Sequence, residues 1–203
     1  MSGSRTVSSE RKEKLIEQHR YINTEYHDWW EDVYHDFRSD MYDCGVQVDR
    51  MYFSGFCSQG DGACFEGGFS TLKAYLDHHH HKDQFPMIRK LLEHGGYVYL
   101  SCRHSGRYYH ENCTEFSTEH DTLYHLIECP TEFHEQVVDQ WDRQLEQEVS
   151  DLEDAAKEQL RSYMQDLYRR LEDEYDYLTS DEAVWETIEA NELDDEDDYE
   201  EAA

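Results

Sequence analysis

The chain has little of what marks several common protein classes. Two prolines and ten glycines in 203 residues exclude collagen-like and Pro/Gly-rich low-complexity chains. No apolar run approaches the ~20 residues that a membrane-spanning helix needs. The opening stretch MSGSRTVSSERKEKL lacks the apolar centre of a secretory signal. The six cysteines, Cys44, Cys57, Cys64, Cys102, Cys113 and Cys129, are therefore expected as reduced thiols of a cytoplasmic protein. Positive charge is scarce too, with 18 Lys and Arg against 48 Asp and Glu and a formal charge of −30. Such a surface repels phosphate, which argues against direct binding to DNA, RNA or an anionic membrane.

What is abundant is aromatic. Sixteen Tyr, eight Phe and four Trp set the chain apart from disordered acidic segments, which are poor in rings. The negative charge is also unevenly placed. Residues 1–130 hold 21 acidic and 13 basic residues, whereas residues 131–203 hold 27 and 5. The expected organisation is an α+β domain over 1–130 with an acidic, aromatic N-terminal helix, then an acidic helical region over 131–190. A disordered acidic tail would cover 191–203.

Periodicity fills in that frame. Residues 9–43 read as one helix ended at Gly45, with Tyr26, Trp30, Val33, Phe37 and Met41 as its apolar stripe. VQVDRMYFSGF and ACFEG read as strands around an SQGDG turn, whose glycines are expected to supply positive φ. Phe53 is the expected core residue of the first strand. TLKAYLDHHHH and FPMIRKLLEH suggest two short helices, and GGYVYLSCRHSGRYYHENCTEF a hairpin turning at Ser105-Gly106. From Thr131 to Tyr177 there is no Gly or Pro. That long amphipathic stretch, with a break expected near Asp154, must bend back, project, or pair with a copy of itself as a homodimer. A last short helix is expected over 181–190. The fold class is α+β, a small antiparallel sheet of about four strands flanked by long acidic helices.

The stretch VDRMYFSGFCSQGDGACF, Val48 to Phe65, resembles a motif of bacteriophage proteins that read YFSGF-x-SQGDGA-x-F. Some of those carry the label of antitoxin of a toxin–antitoxin stability system. The preceding Tyr26-His27-Asp28-Trp29-Trp30-Glu31-Asp32-Val33-Tyr34 is similar to theirs as well. The resemblance implies a phage or prophage origin and a role against host machinery.

Candidate chemistry is sparse. The glycines around Asp61 lack the following helix and Lys of a phosphate loop. Cys102, His104, His110 and Cys113 could be weighed as a zinc set, but they lack a paired C-x2-C knuckle. No nucleophile elbow is present. No catalytic residue, cofactor or metal is expected. The ordered feature is acidic. Asp28, Asp32, Asp36 and Asp40 recur every four residues with Glu31 beside them, and Glu132, Glu135, Asp139, Asp142, Glu146, Glu153, Asp154, Glu172, Asp173, Glu174 and Asp176 follow on the later helix. Like charges at i,i+4 oppose a helix by a few tenths of a kcal/mol each, roughly, so the row suggests a cationic partner. The partner-binding face is expected at Asp28, Glu31, Asp32, Asp36, Asp40, Glu146, Glu153, Asp154, Glu172, Asp173 and Asp176. By analogy with anti-CRISPR proteins of the DNA-mimic type, these would block a basic channel of a host nucleic-acid-binding defence protein, a CRISPR effector first of all. The alternative is an antitoxin or protein-sequestering module that works through aromatic contacts.

Overall fold

The computed structural model describes residues 8–25, 28–79, 84–123 and 132–193, without the side chains of 132–136. It is α+β. Helices α1 (Ser9–Gln18) and α2 (Glu31–Asp43) precede strands β1 (Val46–Ser54) and β2 (Gly62–Phe69). Two short helices follow, α3 (Leu72–His78) and α4 (Pro86–Glu93), then β3 (Val98–His104) and β4 (Thr114–His120). The long α5 (Glu132–Leu178) and the short α6 (Asp181–Ala190) complete the order. The strands form one antiparallel meander, β1-β2-β3-β4.

The chain divides into two compact units, Tyr34–Arg169 and the combination of Met1–Val33 with Arg170–Ala203. The larger unit holds the sheet. Phe65 of β2 is fully buried and meets Phe37 of α2 with ring centroids 5.9 Å apart. Along α5, Val138, Leu145, Val149, Leu152, Ala156, Leu160, Met164 and Leu167 are buried. That spacing of three and four residues makes a single apolar stripe. Thr114 of β4, itself buried, donates to Met164 Sδ at 3.5 Å. In the smaller unit, Leu15 and Ile16 of α1 pack with Val184 and Ile188 of α6.

Several expectations need correcting. Residues 9–43 are not one helix. The α1 helix stops at His19, whose N–H bonds Leu15 O at 3.0 Å, and the N–H groups of Thr24 and Glu25 both turn back to Tyr21 O. Tertiary bonds outweigh helix propensity there. The Asn23 amide donates to Leu178 O at 3.0 Å and accepts from Thr187 Oγ1 at 2.7 Å, and Arg20 reaches Thr179 O at 3.2 Å. Of the expected stripe, Phe37 and Met41 are buried and Trp30 and Val33 half-buried, while Tyr26 lies outside the described residues. The α5 helix runs unbroken through Asp154, with Lys157 bridging Glu153 at 2.6 Å and Asp154 at 3.6 Å. The expected boundary at 130–131 lies outside the described residues, as does the tail from 194 onward, but residues 191–193, expected within a disordered tail, form an ordered turn with Leu193 N–H on Ile188 O at 3.1 Å. Phe53 is half-buried rather than core, stacked with Phe56 at 5.9 Å and edge-on to Tyr34 at 6.5 Å.

The SQGDG turn is built differently from its glycine signature. Gly60 and Gly62 are not among the residues with positive φ. A Cβ on Gly60 would come within 2.9 Å of the Tyr108 ring, and one on Gly62 within 2.9 Å of Tyr109 O. These glycines are needed for close approach of the β3–β4 loop. The turn itself is held by Asp61, whose carboxylate accepts from the N–H groups of Cys57 and Ser58 at 2.9 and 2.7 Å. Positive φ is used at Gly45, at 79°, which ends α2 as its position suggested.

Candidate functional site: carboxylates on the helices

The α2 helix exposes one acidic face. Phe37 and Met41 are buried, while Asp32, Asp36 and Asp40 are exposed, as an amphipathic helix requires. Asp28 is exposed but lies before the helix, in a turn where its backbone carbonyl accepts from Glu31 N–H at 3.0 Å. The four-step row is therefore three residues on the helix and one ahead of it. Glu31 and Asp32 occupy the first turn, where the helix dipole stabilises them. Asp40 and Asp43 lie in the last turn, which holds no basic residue, so the dipole opposes them. Asp43 is exposed, and Asp36, Asp40 and Asp43 fall at i, i+4 and i+7 on one face. A search for exact steps of four misses Asp43. Helical geometry, which alternates steps of three and four, finds it.

The α5 carboxylates do several different things. Asp142 accepts from Leu123 N–H at 2.6 Å, so it is part of the fold. Glu148 accepts from Met87 N–H at 2.8 Å and from Ile88 N–H at 3.1 Å. It thereby caps α4, whose own N-cap residue Phe85 offers no side-chain bond. Burial raises the Glu148 pKa, and the two amide bonds oppose that rise only partly. Glu153 is half-buried and paired with Lys157. The Lys157 ammonium beside it lowers its pKa. Asp154 shares the same lysine. Glu146 is exposed, as are Asp173 and Asp176, and Glu172 is half-buried. Glu146 and Glu153 belong to the larger unit and Glu172, Asp173 and Asp176 to the smaller, and the bonds of Asp142, Glu148 and Glu153 give the α5 acids no common role.

The cysteines and histidines weighed as a zinc set have other partners in the fold. Cys102 is buried and its thiol reaches Phe65 O at 3.6 Å. Burial pushes the Cys64 and Cys102 thiols up to about 12, so both are protonated at neutral pH. His104 Nε2 lies 3.2 Å from Tyr108 O. His110 Nδ1 accepts from Asn112 N–H at 3.2 Å and caps a 3₁₀ turn, Glu111–Cys113. The β3–β4 hairpin thus closes over residues 105–113 rather than in a tight turn at Ser105-Gly106. Among the described residues no group of three or more His, Cys, Asp or Glu is placed to hold a metal ion. A second kind of surface lies in the same unit, a cavity of about 460 Å³ lined by Phe69, Leu72, Leu92, Tyr97 and Tyr99. Tyr97 and Tyr99 are each about half exposed, at 51 % and 47 %.

Fold and surface together define an α+β protein with an ordered acidic helix face. Among the described residues no helix is long and apolar enough to cross a membrane. The chain belongs to the DUF8835 family, a domain of unknown function, whose model matches residues 29–181. No curated protein and no solved structure matches it. The matched region contains α2, the whole sheet and α5, and leaves α1 outside.

Proposed function

We propose that this is a non-enzymatic binding protein whose acidic helix face occupies the nucleic-acid-binding surface of a basic protein. The observation that carries the reading is the exposed series Asp32, Asp36, Asp40 and Asp43, held rigid by Phe37 and Met41 buried on the opposite side of α2. Four residues of helix advance about 6 Å, comparable with the step between phosphates on one strand, so the carboxylates can stand in for backbone charges. A partner that binds them regains the counterion-release gain that nucleic acid provides. The resemblance of residues 48–65 to phage proteins supports a setting in which the partner is a host defence complex. A CRISPR effector fits that description, because it offers long basic channels.

The test is competition. Host proteins retained by the wild type and lost by a D36N/D40N/D43N variant are assayed for nucleic-acid binding with and without the chain. The expected result is displacement of the oligonucleotide, weakening steeply as salt rises. Simultaneous binding without mutual weakening refutes the reading. Tyr97 and Tyr99, exposed beside the apolar cavity, favour the second reading, a sequestering module with aromatic anchors. Its affinity would change little with salt.

A further inference from the structure

In the unit formed by both ends of the described chain, α1 and α6 enclose a groove of about 560 Å³. It is lined by Ile16 and Trp185, and its rim glutamates are Glu182, Glu186 and Glu189 of α6, with Glu13 of α1 also in the lining. Ile16 is buried in the small core, and the three rim glutamates are exposed. A cation is already in place, since Lys12 Nζ lies 4.5 Å from the centroid of the Trp185 ring. An aromatic face beside a row of carboxylates along α6 attracts a cation twice, through the ring quadrupole and through charge. A flexible lysine held over that face by its own chain shows what chemistry the groove accepts.

We infer that the α1–α6 groove is a docking site for an Arg or Lys side chain on an extended basic segment of a partner protein, and that Lys12 is the internal occupant this side chain displaces. Asp181 does not contribute, because Arg20 already engages it. The rim glutamates remain for the incoming cation. The α1 helix and all of α6 except Asp181 lie outside the residues matched to the family. The groove is therefore a second surface, separate in sequence from the α2 face. It rests on the proposed function only in taking the partner to be basic.

The probe is a capped hexapeptide of alternating Arg and Gly, titrated into the full chain at low salt while the Trp185 indole resonance is followed. A Trp185→Phe variant assigns that resonance. The expected result is a saturable shift at Trp185 and Ile16, absent with a Glu/Gly peptide and abolished by E182K/E186K. The decisive comparison is Lys12→Gln against Lys14→Gln. Both remove one positive charge from α1, but only Lys12 sits on the ring, and Lys14 is exposed. Lys12→Gln should tighten peptide binding about threefold, the scale of one exposed cation–π contact, and Lys14→Gln should change it by much less. Equal effects of the two variants would mean diffuse attraction to an acidic protein and would overturn the inference. Shifts distributed over the α2 and α5 carboxylates instead of Trp185 would do the same. So would peptide-independent shifts that grow with protein concentration, which would assign the groove to a second copy. The readout is peptide binding and not displacement of nucleic acid, so this inference and the proposed function fail separately.

Discussion

Replacing Glu148 should unfasten a helix 60 residues away in sequence. The α4 helix spans only eight residues and begins with Pro86, which has no N–H. Its next two N–H groups, Met87 and Ile88, are the pair that an N-cap side chain would normally serve, and both donate to Glu148 Oε2. Ile88 is fully buried, so water does not readily replace the carboxylate at its amide. A lost cap costs about 0.5–2 kcal/mol, and a bond to a charged acceptor contributes roughly 1.5–3 kcal/mol. Glu148→Ala should therefore lower stability by about 2–3 kcal/mol in urea denaturation, with an unchanged m-value. Amide exchange at Met87 and Ile88 should accelerate with it. A loss below about 0.5 kcal/mol, on the same cap scale, would refute the assignment of Glu148 as the cap of α4. The pH dependence follows from the raised pKa. A carboxyl that holds its proton more tightly when folded favours folding at low pH, and that contribution fades as pH rises from the ordinary carboxylate range through the folded value. Glu148→Gln abolishes this titration. Relative to the Gln variant, the wild type should lose stability as pH climbs through that window.

Other outcomes follow from burial. Phe65→Ala should cost about 3–5 kcal/mol, as a fully enclosed ring does, and the half-buried Phe53→Ala clearly less; thermal denaturation of the two compares them. Cys57 is exposed whereas Cys64 and Cys102 are buried with thiols pushed up to about 12, so a thiol reagent at neutral pH should label Cys57 quickly and spare those two until the protein unfolds. Gly62→Ala should destabilise the β1–β2 turn, since the added methyl would meet Tyr109 O; hydrogen exchange in β1 and β2 reads this out.

Elements with a strong local pattern were legible in the sequence. The α6 helix occupies the expected 181–190, and the first three strands and α3 and α4 lie where alternation and the Pro86 signal placed them, while β4 begins later, at Thr114, because residues 105–113 form a loop instead of a tight turn. The bulge in β1 was not read from the sequence: Val48 and Met51 stand three residues apart where a strand repeats every two, and both stay buried because the register shifts between Val48 and Arg50. The break between α1 and α2 was not legible, because it depends on Asn23 and Arg20 bonding to Leu178 and Thr179, more than 150 residues away. For the same reason the acids of α5 could not be sorted. Asp142 and Glu148 serve the backbone of distant segments, and composition does not distinguish them from Glu146.

That bulge in β1 has a further effect. The strand order makes β1 and β4 the two outer strands, each with a row of backbone groups that a foreign strand could pair with. In β1 the residue left over by the shifted register is the exposed Asp49, followed by the exposed Arg50. The bulge twists the rim and sets a charge on it. In β4 the exposed Glu115 and Glu119 lie along the other rim. A second copy approaching β1 would have to match a kinked backbone, and one approaching β4 would bring Glu115 and Glu119 against like charges. The meander thus carries at each rim a feature that opposes growth into a larger sheet.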